Sequence, residues 1–112
     1  SQHPLAARKQ WLAEHLQVKG QLQLDAGAVK VLIQQGRSLL AVGVTAVSGD
    51  FTRGDLVSFT DGQGLEIGRG LVNYNADEAK KIKGKSTKDI ADILGYIEDD
   101  ELIHRDNMVI NH

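Results

Sequence analysis

Glycine-rich turns divide residues 36–74 into three short apolar segments, and this pattern restricts the fold more than any other feature of the chain. The apolar segments are residues 39–47, 56–60 and 65–72, and the turns are residues 48–50, 53–55 and 61–64. Short apolar runs bounded by glycine, aspartate and serine are typical of β-strands. Because the connections are too short to hold crossover helices, we expect the three strands to pair antiparallel as a meander.

A strand and a helix are predicted before this β region. Residues 21–24 alternate apolar and polar side chains, which indicates a first strand. Asp25 is a suitable N-cap for a helix that carries Val29, Leu32 and Ile33 on its apolar side. Gly36 is suited to the position just after the end of that helix.

Two helices and a final strand are predicted after the β region. Asn75 and Glu78 have the spacing of a capping box, and residues 86–95 predict a second short helix. Residues 102–103 indicate a short strand and residues 108–110 the last strand. The predicted architecture is therefore mixed α/β but mainly β: a small, closed or half-closed barrel with short helices on its outside.

The first twenty residues are predicted to stand apart from this barrel. Residues 5–16 have the apolar spacing of an amphipathic helix, but nothing in them is an obvious partner for the β region. We interpret residues 1–20 as a linker helix or arm from a missing upstream domain, and residues 21–112 as the domain itself. Trp11 then either packs on the domain's own core or anchors into the missing neighbour.

Composition excludes several classes of protein. The chain has no cysteine, which removes disulfides, thiol catalysis and cysteine-based zinc sites. No apolar run has the length of a membrane span and no signal-peptide pattern is present, so we expect a cytoplasmic protein without a membrane partner. Residues 1–54 hold six Lys and Arg against three Asp and Glu, whereas residues 55–112 hold seven against twelve. This balance leaves room only for a local basic face.

No catalytic motif is complete. The residues from Gly84 to Thr87 read GKST, like the end of a phosphate-binding loop, but Ala79 occupies the position where that loop needs its first glycine. A turn between two helices is the better interpretation. The histidines are His3, His15, His104 and His112. Their spacing matches no metal-binding pair, and no serine lies in a nucleophile motif. We therefore expect no catalytic residue, no metal site and no cofactor in this chain.

One cationic cluster stands out within the acidic half of the chain. It consists of Lys80, Lys81, Lys83, Lys85 and Lys88. These side chains are candidates for contact with a phosphate backbone. Lysines at the end of a helix also favour the helix dipole and solubility without any partner. The sequence leaves both interpretations open and favours the second.

Several separated blocks of the chain resemble the PUA domain, in the version found at the C-terminus of bacterial glutamate 5-kinases. The blocks are GRSLL at 36–40, GV at 43–44, GDF at 49–51, RGD at 53–55, EI at 66–67 and RGLVNY at 69–74. ARKQWL at residues 7–12 resembles the junction before that domain, and ELIHRDN at residues 101–107 resembles its closing segment. The resemblance covers nearly the whole chain.

The resemblance implies a PUA pseudo-barrel and an accessory or regulatory role. In the parent kinases an N-terminal amino-acid-kinase domain transfers phosphate from ATP to glutamate, the committed step toward proline, under feedback by proline. ATP and Mg²⁺ belong to that domain, so this chain is expected to be catalytically silent by itself. The implied partners are the kinase domain of the same polypeptide and the other subunits of a homo-oligomer.

The resemblance also implies a second function, RNA binding, because other PUA domains grip RNA with the first helix, the following glycine-containing loop and adjoining strands. The matching positions here are Lys30, Arg37, Ser38, Leu39, Leu40 and Gly43, with His104, Arg105 and Asn107 of the closing segment beside them. These nine residues form the predicted groove for RNA or a protein partner.

Overall fold

The structure is a computed structural model that describes residues 16–111. A five-stranded mixed sheet lies at the centre of these residues. In chain order the elements are β1 (Val18–Leu24), α1 (Ala26–Gln35), a 3-10 helix (Ala41–Gly43), β2 (Val44–Gly49), β3 (Leu56–Thr60), β4 (Glu66–Leu71), α2 (Ala76–Ile82), a 3-10 helix (Thr87–Asp89), α3 (Ile90–Leu94), a 3-10 helix (Arg105–Asn107) and β5 (Met108–Ile110). This order and the mainly β class confirm the sequence prediction.

The strand order β2-β1-β3-β4-β5 corrects the expected meander. β3 and β4 form the predicted antiparallel hairpin, but β1 lies between β2 and β3 and pairs with β3 in parallel. The six-residue loop 50–55 makes this arrangement possible because it crosses the end of β1. Phe51 in this loop is buried, and its ring lies where a side chain of Gly20 would stand. Glycine in β1 therefore lets the loop cross.

The predicted strand at residues 39–47 is also corrected, because it is divided in two. Leu39 makes only an isolated bridge, to Ile103, and the chain then turns through the 3-10 helix before β2 begins at Val44. A β-carbon on Gly43 would stand 2.5 Å from the β-carbon of Ala28 in α1. The chain turns here because its backbone packs directly on that helix. Of the strand predicted at residues 102–103, only this bridge forms.

Helix boundaries follow the predicted caps. The Asp25 side chain accepts a hydrogen bond from the backbone N–H of Ala28 at 2.7 Å, and α1 ends at Gly36, whose φ is 60°. Asn75 and Glu78 form both hydrogen bonds of the capping box at the start of α2. Local chemistry therefore determines where these helices begin and end.

The core lies between the sheet and the segments that wrap around it. Leu22, Val57, Phe59, Tyr74 and Ile103 have no exposed surface and come from four different parts of the chain. Aliphatic side chains from α1 and α2 complete the core. The domain therefore depends on contacts between distant parts of the sequence.

The N-terminal arm stays a prediction. Its helix at residues 5–16 lies outside the described residues except for Leu16, and Trp11, His3, His15 and His112 lie outside them as well. β1 begins at Val18, three residues before the predicted strand, because Val18 pairs with Leu56 of β3. The sheet therefore includes residues that were interpreted as linker.

Candidate binding groove

The first helix and the segment that follows it enclose a groove of about 440 Å³. Its walls are mainly apolar and include Leu39, Leu40 and Gly43, while Arg37 and Ser38 lie at the same groove. Leu40 is 40% exposed although it is a large apolar side chain. These five predicted positions therefore share one concave surface.

Part of the closing segment lies beside this groove. The backbone N–H of Arg105 donates to the Ser38 hydroxyl at 2.9 Å, and the N–H of Leu39 donates to the carbonyl of Ile103 at 2.9 Å. His104 Nδ1 accepts from the N–H of Asp106 at 3.0 Å, so that ring position is engaged within its own turn. The structure thus brings His104 and Arg105 beside Arg37 and Ser38.

Two predicted positions lie away from this groove. Lys30 is on the other side of α1 and lines a second cavity of about 660 Å³, together with Ile33 and residues 61–63 of the β3–β4 turn. Asn107 is half-buried, and its carbonyl packs against Gly70 of β4. Helical spacing does not relate Lys30 to the groove residues, because Lys30 lies within α1 whereas Arg37 follows the end of the helix at Gly36.

The turn that carries part of the lysine cluster contacts the 3-10 helix next to the groove, which the sequence did not reveal. The N–H of Gly84 donates to the carbonyl of Ala41 at 2.8 Å, so the turn after α2 lies on the 3-10 helix that forms part of the groove wall. All five lysines of the cluster are exposed. The lysine-bearing turn therefore lies close to the segment that follows Arg37, although the two are distant in the sequence.

The GKST turn is a connection between helices. α2 ends at Ile82, Gly84 has a φ of 75°, and the next 3-10 helix begins at Thr87. A phosphate-binding loop instead joins a strand to the start of a helix. Likewise, the glycines at 62–64 belong to the turn of the β3–β4 hairpin.

Residues 16–111 hold no group of three or more histidine or acidic side chains placed to bind a metal ion. In the same part of the chain, no helix combines the length and the apolar character needed to cross a membrane.

A buried tyrosine, which the sequence analysis did not single out, holds the acidic segment 98–101. The Tyr74 hydroxyl accepts from the N–H groups of Glu98 and Asp99 at 3.1 and 3.0 Å, and donates to the Asp99 carbonyl at 2.5 Å. A hydrogen bond between the two carboxyl groups raises the pKa of Glu101 and lowers the pKa of Asp99. This acidic segment is therefore an ordered structure.

Comparison with known proteins defines the class of this fold and groove. The sequence profile of the PUA domain matches residues 20–94, so the chain belongs to the PUA domain family. A PUA domain from Aeropyrum pernix has 29% identity and a TM-score of 0.54 over 58% of this chain and 35% of its own. A PUA domain protein from Thermoplasma acidophilum has 23% identity and a TM-score of 0.51 over 69% of this chain and 51% of its own.

Within that class, the chain is similar to the C-terminal region of glutamate 5-kinases. It is 58% identical to the glutamate 5-kinase of Halorhodospira halophila over 97% of this chain and 29% of the relative. With the glutamate 5-kinase of Saccharophagus degradans it shares 62% identity over 96% of this chain and 29% of the relative. The chain thus spans about 29% of the length of these relatives.

Proposed function

We propose that this chain is an accessory domain of a glutamate 5-kinase, and that it regulates or helps to assemble the enzyme. The observation that carries the proposal is identity of about 60% over nearly the whole chain to one region of a kinase that extends well beyond it. Under this proposal the parent phosphorylates glutamate with ATP in the first step of proline biosynthesis, in the cytoplasm and as a homo-oligomer. Its ATP and Mg²⁺ belong to the amino-acid-kinase domain.

The groove chemistry supports an accessory role over a catalytic one. Phosphoryl transfer needs a phosphate cradle and charged groups that stabilise the transferred phosphoryl. In the described groove, the Ser38 hydroxyl accepts a hydrogen bond from the Arg105 N–H. The Asp25 carboxylate at the groove is engaged as the cap of α1, and His104 Nδ1 accepts from the N–H of Asp106. The groove instead offers apolar surface with a few polar groups at its edge, which suits recognition.

Deletion of this domain from the parent kinase tests the accessory role. We expect the shortened enzyme to keep measurable phosphorylation of glutamate. It should differ from the full-length enzyme in feedback by proline or in the number of subunits per oligomer. Steady-state kinetics with added proline and light scattering measure these properties. Gly62→Ala in the full-length enzyme is the control, because this substitution changes an open turn and should leave both properties intact. Unchanged feedback by proline together with an unchanged number of subunits after deletion would contradict the proposal.

A second function, RNA binding, is supported by the cations around the groove. Arg37 lies at the groove, and the lysine-bearing turn packs on its wall. Phosphate contacts make RNA affinity depend steeply on salt, since each contact releases counterions. The alternative therefore makes a prediction that an accessory protein-binding domain does not share.

Charge removal at Arg37 and at Lys30 distinguishes groove binding from nonspecific attraction. Arg37→Gln should weaken binding of structured RNA and reduce the slope of log affinity against log salt by about one. Lys30→Gln removes the same charge from the second cavity and should leave the slope nearly unchanged. Fluorescence titration at several salt concentrations measures both. Undetectable RNA binding at low salt, or equal losses in the two variants, would eliminate the groove as an RNA site.

A further inference from the structure

Three large apolar side chains are exposed together at the end of α3. Ile93, Tyr96 and Ile97 lie within five residues and are 38%, 46% and 45% exposed. Buried Ile90 anchors the other side of the same helix. Single exposed apolar residues are common on protein surfaces, but a cluster of this kind marks interaction sites. We call these three residues the α3 patch.

The α3 patch is held in a fixed position. Tyr74 holds the backbone of Glu98 and Asp99 directly after the patch, as described above, and the Tyr96 hydroxyl donates to the Glu78 carboxylate on α2. Arg53 pairs with the Glu98 carboxylate at 2.8 Å. A surface that is ordered before binding loses little conformational entropy when a partner arrives, which favours docking.

The patch lies near the end of the sheet where the chain enters the domain. Arg53 belongs to the loop that leads into β3, and the first residue of β3, Leu56, pairs with Val18 at the start of β1. Leu16, just before β1, is 39% exposed. In glutamate 5-kinases this region is C-terminal, so the preceding polypeptide reaches the domain at this end.

The segment that carries the patch is acidic, and Arg53 from a neighbouring loop pairs with its Glu98. Residues 89–103 include six acidic side chains and no Lys or Arg. A complementary partner would present an apolar surface with basic side chains at its edge, because like charges would oppose docking and opposite charges would guide it.

We propose that the α3 patch docks on the preceding kinase domain of the same polypeptide, against an apolar surface with a basic edge. This inference rests on the proposed function, since it names the surface through which the accessory domain contacts the catalytic part. The groove at α1 lies against the other end of β1 and stays available for a different ligand.

Hydrogen exchange tests the docking. Amides of residues 96–100 should exchange about tenfold more slowly in the full-length kinase than in the 112-residue chain, because docking protects them from opening. In the full-length kinase, Ile93→Gln with Ile97→Gln should remove this protection. The matched control is Ile33→Gln with Leu65→Gln, two apolar residues that are 52% and 66% exposed elsewhere on the domain. This control should keep the protection.

A charge variant separates docking from a loss of folding. Asp100 is exposed, so Asp100→Lys should leave the domain folded and still reduce the protection by repelling a basic partner. Equal exchange in the full-length kinase and the 112-residue chain would overturn the docking proposal. So would protection that rises with protein concentration, because that result assigns the patch to contact between subunits. Neither result bears on the effect of domain deletion, so this proposal can fail while the accessory role stands.

Discussion

Gly68→Ala is expected to destabilise the domain by about 3 kcal/mol or more, because β4 has no room for a side chain at this position. A β-carbon on Gly68 would stand 2.3 Å from the carbonyl oxygen of Val109 and 2.9 Å from two ring atoms of Phe59. Neither neighbour can move away easily. Val109 belongs to the three-residue strand β5 that pairs with β4, and Phe59 is completely buried.

Urea unfolding measured by circular dichroism checks this prediction. A domain of this size has a total stability of about 5–15 kcal/mol, so the loss should shift the midpoint strongly or leave the chain unfolded. Gly62→Ala is the control, since the nearest atom to its added carbon is Gln23 Nε2 at 3.9 Å and its φ is not positive. The control should change stability by no more than about 0.5 kcal/mol. Similar midpoints for the two variants would show that β4 and β5 do not pack as described.

Tyr74→Phe is expected to cost about 3 kcal/mol, although it removes a single oxygen atom. The hydroxyl satisfies two N–H groups and one carbonyl of the 98–99 segment, and the ring has no exposed surface. Phenylalanine would fill the same space in the core but leave these three backbone groups without their partner. The acidic segment should then lose its fixed position while the rest of the core stays packed.

Two measurements separate this effect from general destabilisation. The free energy of unfolding should fall, and the amides of Glu98 and Asp99 should exchange faster by a larger factor than amides of β3 do. Tyr96→Phe serves as the control, because it removes one hydrogen bond to Glu78 from an exposed ring and should change stability little. If Tyr74→Phe behaved like that control, the tyrosine would not hold the segment.

Local features of this fold could be predicted from the sequence, and the sheet order could not. The caps at Asp25, Gly36 and Asn75 act through neighbouring residues, so their chemistry is readable from spacing alone. The position of β1 between β2 and β3 depends on a contact between Gly20 and Phe51, thirty-one positions apart. The assumption that adjacent strands in the sequence pair with each other was wrong because this long-range packing outweighs it.

The groove was predictable mainly through resemblance to PUA domains. That resemblance identified Arg37 to Gly43 and the closing segment, which the structure brings together. It could not place Lys30, whose side of α1 depends on how the helix packs. The turn after α2 contacts the 3-10 helix beside the groove through a backbone hydrogen bond from the N–H of Gly84 to the carbonyl of Ala41. No pattern in the sequence predicts a hydrogen bond between backbone groups that are so distant in the sequence.

We propose that these 112 residues present binding surfaces and leave the chemistry to the rest of a glutamate 5-kinase. The most direct test is phosphorylation of glutamate by ATP, measured side by side with the purified 112-residue chain and with the kinase from which this domain has been deleted. We predict turnover only in the second sample. Glutamyl phosphate formed by the 112-residue chain alone would contradict the account.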